Sequence, residues 1–146
     1  MNDQSLTLQR ADEIATAVLN HAAARKLAPL SVAVLDARGI PLVVKSDERA
    51  SLLRWEIACA KAWGAVAMGC GSRDLQKKAA VAPQFITALQ GLSHGRVAPV
   101  PGGVLIRDAR GMVIGSVGVS GDTPDNDEQV AVAAIGEAGF AADTGA

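Results

Sequence analysis

Two segments of this chain, VLDARGIPLVV (residues 34–44) and LIRDARGMVI (residues 105–114), repeat one order: an apolar run, an aspartate, Ala-Arg-Gly, and a second apolar run. A short glycine-containing connection between two strand-like runs is a hairpin signal. Two hairpins commit a chain to a mainly antiparallel sheet, because parallel neighbours need long crossovers. Pro41, near the start of a return strand, points to a sheet edge or a bulge. The likeness of the two segments is weak evidence for duplication, since the same turn chemistry arises independently.

Helical periodicity fills the remainder. Leu8, Ala11, Ala15, Val18 and Ala22 step by three and four, predicting a helix over residues 6–25 with Ser5 or Thr7 as its N-cap. SLLRWEIACAKAWGAVAMG reads as a second helix, capped by Ser51 and stopped at Gly69. Ser72 is placed to cap a short helix through Lys78, and Pro83 opens another towards Gln90. TPDNDEQVAVAAIGEAG has a cap residue, acids in its first turn and an apolar stripe, which specify a C-terminal helix. The order helix, hairpin, helices, hairpin, helix describes one α+β domain over residues 1–146, with helices covering the sheet. It contains no βαβ repeat, which disfavours a doubly wound nucleotide fold.

Composition narrows the function. With two Trp, two Phe and no Tyr among 146 residues, Val, Leu, Ile and Ala must build the core. A net charge of -1 with both signs scattered leaves no footprint for nucleic acid or an anionic membrane. Cys59 and Cys70 form no CxxC pair, and a helix between them holds their Cα atoms too far apart for a disulfide. Reduced thiols, the absence of a secretion-signal pattern in MNDQSLTLQRADE, and charges interrupting the most apolar helix lead to an expectation of a soluble, cytoplasmic protein.

The segment VIGSVGVSGDTPDNDEQ (residues 113–129) places Gly115, Gly118 and Gly121 three apart in a strand-like run. It matches no phosphate-loop pattern, and the acids that follow would repel a phosphate from the helix N-terminus. Gly115 and Gly118 are expected to leave openings where a helix, another subunit or a flat ligand touches the backbone, and Gly121 to supply a turn conformation. Asp122, Asp125, Asp127 and Glu128 do not have calcium-loop spacing and are explained as capping residues, so no metal site is expected.

The stretches AVLDARGIPLVV, IACAKAW and PVPGGVLIRDARGMVIGSVGVSGDTPDNDEQVAVAAI together resemble the GlcG/HbpS family, the haem-binding-like domain also found at the C-terminus of PduO proteins. The likeness runs from about residue 6 to residue 135. It implies a profilin-like α/β/α sandwich around a mainly antiparallel five-stranded sheet, assembly into homo-oligomers, and a role with haem or with small organic molecules in catabolism. Trp63 stands where that family often has Tyr, which removes a hydroxyl.

Candidate site residues follow. Arg54 and Lys61 lie two helical turns apart on nearly one face with small Ala58 between them, an arrangement suited to a carboxylate, whether a haem propionate or a small acid. The expected ligand space lies between these cations and the glycine-bearing sheet, with Gly102, Gly103, Gly115 and Gly118 as its ligand-binding backbone. His21, beside the apolar stripe of the first helix, reads either as a haem ligand or as a half-buried histidine near a helix C-terminus. His94, in the SHGR segment, reads as a second ligand, an acid/base group or a loop residue. Two functions compete: an oligomeric accessory protein binding haem or a related anionic ligand, and an isomerase, deaminase or hydrolase. In the second, Arg54 and Lys61 hold a carboxylate while Glu56, Asp36 or His94 moves a proton.

Overall fold

The computed structural model describes residues 5–146. Helix α1 (Leu8–Ala24) leads into the hairpin β1 (Ser31–Asp36) and β2 (Pro41–Ser46). Helices α2 (Arg54–Met68), α3 (Ser72–Val81) and α4 (Pro83–Leu92) follow, then the hairpin β3 (Gly103–Arg107) and β4 (Val113–Ser120), helix α5 (Pro124–Glu137) and the short strand β5 (Ala141–Asp143). The five strands pair antiparallel throughout, in the order β2-β1-β4-β3-β5. Helices α1 and α5 cover one face and α2 the other, giving the expected α/β/α sandwich.

Both hairpin turns are built the same way. Asp36 Oδ1 accepts from the amides of Arg38 and Ile40, and Asp108 Oδ1 from those of Arg110 and Met112. Gly39 and Gly111 take φ of +82° and +80°, which a side chain would resist. Pro41 sits on the edge strand, beside a register shift at Val34/Leu35.

Alternation along the strands sorts side chains between the layers. Val32, Val34, Val104, Ile106, Val117 and Val119 join Ile14, Val18, Val130 and Ile135 in the larger core beneath α1 and α5. On the other face, Ala33, Gly118 and Gly103 lie opposite one another across β1, β4 and β3 and form a trough of small residues. Helix α2 lies in that trough. A Cβ at Gly118 would fall 1.9 Å from the Ala58 carbonyl oxygen, and one at Gly103 would fall 2.2 Å from that of Lys61. Ala58, Ala62 and Ala65 are fully buried against the sheet, and Ser116 Oγ donates to Ala62 O at 2.8 Å.

Lys61 joins the two helical layers past the end of β4. Its ammonium donates to Val119 O at 2.8 Å and to Asp127 Oδ2 at 3.2 Å, with Lys61 only 3% and Asp127 1% exposed. Burial pushes the Lys61 ammonium down and the Asp127 carboxyl up, and the attraction between them opposes both shifts. Asp127 Oδ1 also accepts from Asp122 N. Arg73, on α3, pairs with both Asp125 and Glu128. The acids of α5 are therefore mainly tethers to neighbouring elements, while Thr123 supplies the cap by accepting from Asn126 N.

Three local expectations are corrected, and the fifth strand of the expected sheet is located. Ser51 does not cap α2: Leu53 stands at the N-cap with no side-chain bond, and Ser51 offers its carbonyl to Arg54 N instead. Ser72 is the first residue of α3, its hydroxyl accepting from Gly103 N at 2.7 Å to tie the helix to β3. Gly121 has no left-handed conformation; it is small because a Cβ would lie 2.4 Å from that of Leu30. Strand β5, unassigned in the sequence, is three residues that β3 pairs with after α5.

Gly118→Ala is expected to cost about 3 kcal/mol or more, because helix backbone cannot give way as a side chain can. Gly136→Ala, on α5 with nothing within 4 Å of its added Cβ, should stabilise by about 0.5–1 kcal/mol. Comparable denaturant midpoints for the two variants would refute the trough. Lys61→Met, which leaves a buried carboxylate unpaired, should cost about 3–5 kcal/mol at neutral pH. Removing the ammonium should raise the Asp127 carboxyl beyond the already raised position it has beside Lys61, so the deficit relative to the wild type should develop as pH rises above the wild-type value and shrink on acidification. A deficit independent of pH would show that the pair is not what the substitution breaks.

Candidate functional site

A cleft of about 530 Å³ opens beside α2 on the face away from α1 and α5. Three elements form it. The β1–β2 turn contributes Gly39, Ile40 and Pro41, α2 contributes Trp55, Glu56, Cys59, Ala60 and Trp63, and the segment after α4 contributes His94, Gly95 and Arg96. The helical residues follow from geometry: positions 55, 59 and 63 recur every fourth residue and share one stripe. Because the neighbouring stripe, Ala58, Ala62 and Ala65, about a quarter-turn round the helix, is sunk in the trough, both tryptophans of the chain are directed to this one cavity beside it.

The α4–β3 segment is seated on α2 through Val97 and tied back to α4 by Gln90. Val97 packs at Gly64, where an added Cβ would meet its Cγ1 at 3.3 Å, and Gln90 Nε2 donates to Val97 O at 2.6 Å. This seating brings the Arg96 guanidinium 4.1 Å from the centroid of the Trp63 ring, in a cation–π stack. Arg96 Nε also donates to Ser93 O at 2.8 Å. His94, exposed on the same segment, takes φ of +56°, and Gly95 follows at +80°. A left-handed backbone at a non-glycine residue costs free energy, and such positions concentrate at functional sites. Gly39, on the far wall, leaves room for the indole: a Cβ there would stand 3.2 Å from Trp63 Nε1.

The electrostatics of the cleft are mixed. Cys59 is half-buried, and burial, with a smaller contribution from Glu56, pushes its thiol up, so it stays protonated at neutral pH. Cys70, raised by burial and by Asp74, lies elsewhere. No group of three or more His, Cys, Asp or Glu residues suited to a metal ion occurs among the described residues.

The structure redistributes the residues singled out in the sequence. Glu56 and His94 line the cleft together. Asp36 does not: burial pushes its carboxyl up, but the Arg38 side chain and the Ile40 and Arg38 amides outweigh this and hold it below the usual carboxylate range, fixed in its own turn. Arg54 and Lys61 do share a face of α2, yet that face meets the end of β4, where Arg54 Nη1 donates to Ser120 Oγ at 3.2 Å and Lys61 reaches Val119 and Asp127. The ligand space expected between Lys61 and the glycines is filled by α2 itself. Gly103 and Gly118 seat the helix, Gly102 lies under the Lys61 side chain at φ of +122°, and Gly115 faces Leu6 on the opposite side of the sheet. His21 is also remote from the cleft, with its Nε2 2.8 Å from Glu137 Oε2 between α1 and α5. Trp55, Cys59 and Arg96 were not singled out in the sequence, and Trp63 was noted only for the hydroxyl it lacks, although the eight-residue spacing of the two tryptophans, which keeps them on one side of a helix, was a readable signal.

Known proteins share this framework. A crystal structure of the PduOC:heme complex superposes with a TM-score of 0.83 at 27% identity, covering 93% of this chain and 96% of that one. HbpS superposes with a TM-score of 0.80 at 30% identity, covering 94% and 92%. The corrinoid adenosyltransferase PduO of Citrobacter freundii is 33% identical over 134 residues, 90% of this chain, and that of Salmonella typhimurium is 39% identical over 111 residues, 73% of this chain. The chain spans only 38% and 31% of those two proteins' lengths. Residues 6–136 match the family described as haem degrading protein HbpS-like, and the chain therefore belongs to the HbpS-like family.

Proposed function

We propose that this protein binds haem or a related flat anionic ligand, and that the ligand enters the cleft between α2, the β1–β2 turn and the α4–β3 segment. The observation that carries the reading is the convergence of both tryptophans, His94 and Arg96 on one cavity. A flat ligand needs apolar faces to stack on and a few oriented polar groups, and this cavity supplies both. For haem in particular, the donor set fits: His94 would offer a ring nitrogen to the iron, Trp55 and Trp63 would offer ring faces, and Arg96 would offer a cation for a propionate. The protonated Cys59 is not a thiolate donor. Bound haem would supply a redox-active iron; the protein's share is to orient the ring and to limit access to it. The haem complex of the relative PduOC supports the choice of ligand.

The pairing of Glu56 with His94 in one cleft favours a second reading, an enzyme that moves a proton on a small carboxylate. Assembly into a homo-oligomer is the remaining part of the proposal. Leu52, Leu53, Trp55, Phe85 and Leu92 are all 44–85% exposed around α2 and α4, apolar side chains that a second copy of the chain would cover.

Titration with hemin should give a saturable Soret shift, with an altered spectrum in His94→Ala, an unaltered one in His21→Ala, and about tenfold weaker binding in Trp63→Ala. Hemin should also slow alkylation of Cys59 and leave Cys70 unaffected. A featureless titration, or a spectrum that depends on His21 alone, would remove this cleft as the haem site. Sedimentation should show a species larger than 14.9 kDa that shifts towards the monomer in Leu52→Glu; a wild-type monomer at all concentrations would end the oligomer proposal.

A further inference from the structure

We propose that Arg96 selects among flat ligands for those that carry a carboxylate, by occupying the ligand's stacking place on Trp63 until a carboxylate draws it away. The inference rests on the cleft being the binding site. The guanidinium already covers the Trp63 ring at 4.1 Å, so a flat ligand that uses this indole must first displace it. Its other contact is a single bond to the Ser93 carbonyl, at 2.8 Å. Among the described residues, no aspartate or glutamate pairs with it. A carboxylate offers Arg96 what the carbonyl and the indole do not, two parallel charge-assisted hydrogen bonds. A neutral ring offers no such exchange and has to compete with the cation for the indole.

The placing of Glu56 gives the ligand a direction. It lies seven residues before Trp63 on α2, about 10 Å along the helix axis. A ligand carboxylate is repelled at that end of the cleft and attracted at the other, so the acid group meets Arg96 and the uncharged part of the ring lies towards Glu56. Gly95, just before Arg96, adopts φ of +80° with nothing within 4 Å of an added Cβ, so the backbone beside the arginine has space in which to turn.

Hemin and hemin dimethyl ester share one ring system and differ in having free or masked carboxylates. Their affinities for the full chain, read from the Soret band, test the assignment in the wild type, Arg96→Ala and Trp63→Ala. The wild type should prefer the acid. In Arg96→Ala the acid should bind about tenfold more weakly and the ester equally well or a few-fold more tightly, because the indole is uncovered, so the preference collapses. Equal weakening of both probes, or no change in either, would show that Arg96 only supports the loop and would overturn the proposal while the cleft stands. If the wild type binds neither probe, or Trp63→Ala binds both as the wild type does, the cleft reading fails and the Arg96 assignment falls with it.

Discussion

The close seating of α2 on the sheet is the constraint on which the rest of this structure depends. Ala33, Gly118 and Gly103 meet across three strands, and the helix backbone rests in the space their missing side chains leave. Apolar area alone does not explain the contact, because alanine and glycine bury little of it. It is a matter of shape: close packing leaves no slack for an added methyl group, so the position and rotation of the helix are set together. Lys61 then fastens the helix from the side. A buried ion pair is weak evidence for net stability, since desolvating both charges offsets much of their attraction. Its effect here is geometric, because among the described residues the ammonium finds its acceptors in one place, at Val119 and Asp127.

Once α2 cannot roll, the stripe containing Trp55, Cys59 and Trp63 has one direction in which to point. The cleft is thus a by-product of how the neighbouring face of the helix is packed. Its two other walls are short connections, one closed by the self-bonded Asp36 turn and the other anchored by Val97 at Gly64. A site supported by a rigid helix and completed by loops combines fixed stacking surfaces with adjustable polar groups, a division suited to binding a flat ligand with a charged margin.

Much of this architecture was readable from the residues. The two Asp-Ala-Arg-Gly turns, the helical periodicities and their order led directly to a mainly antiparallel sheet covered by helices, and the family resemblance added the sandwich. The three-residue strand β5 was not readable, because a segment so short carries no period and is defined by its partner β3. The strand glycines signalled close approach but not what approaches; side-chain absence looks the same whether a ligand or a helix fills it. Arg54 and Lys61 posed a related problem. A stripe of cations on a helix reads as a binding surface until the far partner is known, and Asp127 lies 66 residues away in sequence. His94 and Glu56 reached the cleft, yet nothing in their local sequence relates one to the other, since the contact between α2 and the α4–β3 segment depends on Gly64 and Val97.

The trough also sets an order of assembly. Each hairpin closes through local contacts and can form early, whereas the trough exists only after β1 has paired with β4, strands from opposite halves of the chain. Helix α2 has no surface to settle on before that event, and the tryptophans have no common direction. The cleft is therefore a property of the completed topology, and an unfinished chain would expose the same apolar side chains without the walls that later enclose them.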